Sequence, residues 1–142
     1  MGARAARWHH RTVSEIDRRT TSSVSVLIVD DQRPFRSVAR KVVQMVPGFA
    51  VVGEAGSGEE AVAAVDRWHP DLVLMDVHLP GISGIEATRR VLASSGSTRV
   101  VLLSTYPEAD LPADARTCGA HAYLHKGDLT AELLRRLWTA AP

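Results

Sequence analysis

The sequence contains one cysteine, Cys118, in 142 residues. That excludes a disulfide framework and any multi-cysteine zinc site. It fits a reducing compartment, so a cytoplasmic location is expected. No apolar run approaches the roughly 20 residues needed to span a bilayer. The N-terminus lacks the apolar core of a signal peptide, and no membrane role is expected. Net charge is only +1, so the chain as a whole lacks the electrostatic character of a nucleic-acid binder. What is present is ordinary globular composition, 45% hydrophobic and 23% charged. The length suits one domain. Such a domain buries about two-thirds of its unfolded surface and needs no metal or disulfide to fold.

The small charge is unevenly spread. Residues 1–23 carry Arg4, Arg7, Arg11, Arg18 and Arg19 against Glu15 and Asp17, and end in the polar run Arg18 to Ser23. This segment is expected to be a basic, disordered tail, with the folded body spanning 24–142.

From Val24 the pattern is that of alternating strands and helices. Val24–Val29, Phe49–Ala55, Asp71–Val77, Arg99–Leu103 and Ala120–Leu124 are short, apolar and rich in branched residues, as buried strands are. Helical spacing recurs over Phe35–Val46, Glu59–Trp68, Ile85–Ala93 and Leu129–Thr139. A further short helix is expected at Ala113–Cys118, with Pro112 near its start. Strands this continuously apolar are covered on both faces, which implies a parallel sheet between helix layers. Ligands of such sheets bind beyond the carboxyl ends of the strands.

The polar residues at those ends form a set. The first strand runs into Asp30-Asp31, the third into Asp76, the fourth into Ser104-Thr105 and the fifth into Lys126. Parallel strands bring them to one edge of the sheet. Carboxylates this close repel one another and have raised pKa values. Hard oxygen ligands suit Mg²⁺, which relieves the repulsion. A lysine and a hydroxyl opposite can hold an anionic group such as a phosphoryl. Each piece alone reads as a helix cap, a loop start or a surface charge; four in order are far more specific.

At this point the sequence resembles the receiver domain of two-component response regulators, the CheY-like family, over about residues 24–139. The segments "VLIVDD", "DLVLMDVHLPGISG", "VVLLSTY" and "AYLHK" carry the resemblance. So do the separations of 45 residues from Asp31 to Asp76, 28 from Asp76 to Ser104 and 22 from Ser104 to Lys126. The run "DVHLPGISGIEATRRV" is similar to the branch with a helix-turn-helix, LuxR-type output domain. The resemblance implies a flavodoxin-like, doubly wound five-stranded parallel sheet with five helices, in the order 2-1-3-4-5.

It also implies roles. Asp76 matches the phospho-acceptor, which takes its phosphoryl group from a sensor histidine kinase. Asp30 and Asp31 match the acidic pair that holds Mg²⁺ together with Asp76 and the backbone carbonyl of His78. Ser104 and Lys126 match the groups that contact the phosphoryl. Ser104 and Tyr123 match the switch pair that alters the face formed by the fourth helix, fifth strand and last helix, for output or homodimerisation. Two departures stand out. Thr105 replaces a smaller residue, which is expected to slow phosphotransfer, and Gly127 replaces the proline that usually follows the lysine. His78 and Tyr106 flank the expected path of the hydrolytic water, and two rings there predict slow self-dephosphorylation.

Other classes fit less well. A haloacid-type phosphatase needs a second aspartate where His78 stands. A flavin site needs a phosphate-cradling loop, and "DDQRPFR" is acidic with no glycine. A phosphorylation-independent pseudo-receiver usually loses an acidic or lysine residue, and all are present here. Zinc at His121 and His125 lacks further ligands. Trp68 is expected to cap a helix–sheet contact, and Trp138 to close the core or serve a partner surface. No output domain follows within these residues, so direct DNA binding is not expected.

Overall fold

A computed structural model describes residues 24–140; the expected basic tail lies outside them. Five parallel strands form one sheet: β1 (Val24–Val29), β2 (Phe49–Ala55), β3 (Leu72–Asp76), β4 (Arg99–Ser104) and β5 (Ala122–His125). Their order is β2-β1-β3-β4-β5, the doubly wound, flavodoxin-like arrangement. Four α-helices are described: α1 (Arg33–Gln44), α2 (Gly58–Trp68), α3 (Gly84–Ser94) and α4 (Ala131–Thr139).

Local chemistry sets where the helices begin. Pro34 stands in the first turn of α1, where its missing N–H leaves no bond unmade. Ser57, Ser83 and Thr130 cap α2, α3 and α4, each accepting from the backbone N–H three residues on. Helix α2 ends at His69, whose φ is +47°, and Pro70 prevents continuation.

The sheet separates two apolar cores. On one face Leu27, Val29, Val73, Met75, Val100 and Leu102 meet α2 and α3 through Ala61, Val65, Ile85, Ala87 and Val91. On the other, Val26, Ile28, Leu72, Leu74, Val101 and Leu103 meet α1 and α4 through Ala39, Val43 and Leu134. Alternate residues of β3 feed opposite cores, so the strand is buried throughout.

The expected fifth helix is absent among the described residues. Between β4 and β5 the chain makes only two short 3-10 turns, Glu108–Asp110 and Ala113–Arg116. Pro107 and Pro112 each break an α-helical ladder, and Gly119 turns the chain with φ +101°. The few residues left between Pro112 and Gly119 are too short to offset helix nucleation. The face ascribed to the fourth helix is therefore built of turns.

The two tryptophans pack locally. The Trp68 ring lies over Gly53 of β2, where an added Cβ would collide with it. Trp138 meets Phe49 edge-on at 6.1 Å, with the Arg99 guanidinium 5.4 Å from its ring. Trp138 thus closes the second core.

Candidate functional site

Strands β1 and β3 are neighbours, with Val29 paired to Met75. Their carboxyl ends therefore deliver Asp30, Asp31 and Asp76 to one place. One carboxylate oxygen from each lies within 4.8 Å of the others. Asp30 and Asp76 are buried, at 1% and 4% exposure, and Asp31 is exposed. Lys126 follows β5 and reaches back across the sheet edge. Its Nζ lies 2.5 Å from Asp30 Oδ2 and 3.5 Å from Asp76 Oδ2.

One ammonium faces three carboxylates. Asp76 is pushed up to about 6 from its ordinary carboxylate range, first by loss of water and then by the Asp30 charge; Lys126 and the His78 N–H oppose this. Asp30 Oδ2 is fully buried, and no donor meets it at hydrogen-bond angle even though the lysine is close. A pocket of excess negative charge, with hard oxygen donors and an under-satisfied carboxylate, fits a small divalent cation.

The acidic turn is braced from both sides. Asp30 Oδ1 accepts from Gln32 N at 2.8 Å. Arg36 donates to the Asp30 carbonyl at 2.6 Å while pairing with Glu54 of β2 at 2.9 Å. Burial alone would raise Glu54, but hydrogen bonds from Arg40 and Arg36 hold it below the usual range. Below Asp76, α3 begins so close that a Cβ on Gly84 would collide with the Asp76 carbonyl oxygen. The loop between them turns at Gly81, with φ +75°, and Ile82 N donates to Glu59 Oε2 at 3.2 Å.

Ser104 ends β4 and is fully buried. Its Oγ accepts from Tyr106 N at 2.9 Å. The Tyr123 hydroxyl donates to the Tyr106 carbonyl. His78 N donates to Asp76 Oδ1 at 3.2 Å. The His78 and Tyr106 rings lie 4.4 Å apart, tilted by 41°. Thus Ser104, Tyr106 and Tyr123 are linked by hydrogen bonds, and His78 joins them by ring contact. Thr105 is exposed on the same loop.

Some contributors were not singled out from the sequence. Phe35 lies with its ring 4.6 Å from Lys126 Nζ, a cation–π contact across 91 residues of chain that no local pattern signals. Arg36 and Glu54 carry no local pattern that marks them either. His125, considered only for zinc, instead donates from Nε2 to the Thr105 carbonyl at 2.9 Å. His121 lies against the Leu137 carbonyl at 3.2 Å. Among the described residues, the aspartate trio is the only metal-capable group of three or more.

Comparison with known proteins agrees with this geometry. The model of the response regulator receiver domain family matches residues 26–137. The response regulator UvrY of Escherichia coli is 39% identical over 111 residues, covering 78% of this chain and 51% of that protein. The chain spans about half the length of the curated relatives it matches. A two-component response regulator of the LuxR family from Aurantimonas sp. superposes with a TM-score of 0.73 at 34% identity, covering 80% of this chain and 81% of that one. A CheX–CheY–BeF3–Mg complex from Borrelia burgdorferi gives 0.74 at 26% identity, covering 83% and 89%.

Proposed function

Since the chain belongs to the response regulator receiver domain family, in its LuxR-type branch, we propose that residues 24–142 form a phosphorylatable switch with Asp76 as its acceptor. An Asp76 carboxylate oxygen attacks the phosphorus of a phosphohistidine on a sensor histidine kinase. The phosphorus–nitrogen bond breaks, the imidazole departs, and an acyl phosphate forms on Asp76. Asp30, Asp31, Asp76 and the His78 backbone carbonyl would hold Mg²⁺, which would supply positive charge to the phosphoryl oxygens. Lys126 keeps a fixed cation beside Asp76, and Ser104 offers a hydroxyl to the phosphoryl group.

The observation that carries this reading is the meeting of three carboxylates within 4.8 Å with a lysine 3.5 Å from Asp76 at the carboxyl ends of parallel strands. The solved relative containing BeF3 and Mg supports the same chemistry here. The phosphoryl group favours a different arrangement of Ser104 and Tyr123, and this shift in population alters β5, α4 and the 3-10 turns before β5. That face serves output or homodimerisation. A cytoplasmic location belongs to the same proposal, and no helix among the described residues is long and apolar enough to cross a membrane.

The test is incubation with Mg²⁺ and acetyl phosphate, followed by intact-mass measurement beside an Asp76→Asn control. A phosphoryl mass that vanishes in the control is expected. No adduct on the parent protein would overturn the proposal and leave a phosphorylation-independent interaction module.

A further inference from the structure

His125 stands in register with Ser104 on the neighbouring strand. Its ring makes two hydrogen bonds at once. Gly127 N donates to Nδ1 at 3.0 Å, and Nε2 lies 2.9 Å from the Thr105 carbonyl. An acceptor Nδ1 leaves the ring proton on Nε2, so both bonds form together only in the neutral, Nε2-protonated ring. Two residues earlier on the same strand, the Tyr123 hydroxyl donates to the next carbonyl, that of Tyr106. Side chains two apart on a strand share a face. Consecutive carbonyls of the segment after Ser104 are thus anchored on β5 by two consecutive same-face side chains. The Ser104 hydroxyl itself is occupied by the Tyr106 N–H.

We propose that His125 is a positioning residue that brakes the switch, by tying the Thr105 carbonyl to β5 while the Ser104 hydroxyl is held by the Tyr106 N–H. It rests on the phospho-receiver reading above. Turning the Ser104 hydroxyl to a phosphoryl group gives up its bond from the Tyr106 N–H, and a shift of the Thr105–Tyr106 segment that follows breaks the bond to His125 as well as the one to Tyr123. The Gly127 contact fixes the ring. With glycine after Lys126 there is an N–H to orient the ring, which a proline would not supply.

The ring's two nitrogens can be separated by substitution. Glutamine reaches like Nε2 and retains a donor for Thr105, whereas asparagine reaches like Nδ1 and retains only the acceptor for Gly127. Uptake of phosphoryl from acetyl phosphate with Mg²⁺ is followed by intact mass for the parent protein, His125→Gln, His125→Asn and His125→Leu, each checked for folding by circular dichroism. Asn and Leu variants should react about fivefold faster, the equivalent of one ordinary hydrogen bond, and Gln should match the parent. Equal rates in all four overturn the brake, as does Gln behaving like Leu while Asn matches the parent. If the parent takes up no phosphoryl, the receiver reading falls and the brake falls with it. Nitrogen NMR of the parent gives an independent readout. The His125 ring should be Nε2-protonated at rest and lose its Thr105 hydrogen bond when beryllofluoride and Mg²⁺ are added. An unchanged ring signal would overturn the proposal.

Discussion

At neutral pH the Asp76 carboxylate sits at 4% exposure beside the Asp30 charge, and its folded pKa is about 6 against an ordinary 3.8. A group with a raised folded pKa favours the fold while it is protonated. Its penalty is absent below about pH 4, grows as pH rises towards 6, and is complete above that. Asp76→Asn, which cannot ionise, should therefore be more stable than the parent at pH 7.5 without added cations, by about 2–3 kcal/mol. Chemical denaturation across pH 4–8 checks this; an advantage that grows towards low pH would contradict it. Water access is the second issue at this scale. The His78 and Tyr106 rings, 4.4 Å apart, stand where a hydrolytic water is expected to approach. Replacing both with alanine should shorten the phosphoryl half-life by roughly an order of magnitude, read by loss of phosphoryl mass.

The elements hold the site through close backbone approach as well as through side chains. Gly84 opens α3 against the Asp76 carbonyl with no room for a Cβ. Gly84→Ala should cost about 3 kcal/mol or more, since the clash is with backbone that cannot swing away. Gly96→Ala is the matched control. Nothing lies within 4 Å of its added Cβ, and its effect should stay within about 0.5 kcal/mol. Equal losses at both positions, measured by thermal or urea unfolding, would refute the close-approach account. The four α-helices and five strands were legible from spacing, caps and breakers. The segment between β4 and β5 was not. Its expected helix at Ala113–Cys118 is a 3-10 turn at Ala113–Arg116, because local apolar spacing does not register how two prolines limit the run available to nucleate.

For the whole molecule, the excess of carboxylate over ammonium at the sheet edge couples cation binding to folding. A cation that binds only the folded state stabilises it by mass action, about 1.4 kcal/mol at a concentration ten times the dissociation constant. Mg²⁺ should therefore raise the melting temperature of the parent. The rise should be smaller in a variant carrying Asp30→Ala and Asp31→Ala. An equal rise in both would place the cation elsewhere.

The alternation of strands and helices, the parallel sheet, and the placing of Asp30, Asp31, Asp76, Ser104 and Lys126 at strand ends could all be read from residue order. Those follow from periodicity and from the rule that parallel strands share a carboxyl edge. Which side chains brace that edge emerged with the folded chain. Phe35 under Lys126, Arg36 on the Asp30 carbonyl and His125 on Thr105 join residues far apart in the chain or hang on side-chain direction. A one-dimensional pattern records which residue types are present; it does not record which way a ring or a guanidinium points once the sheet has formed.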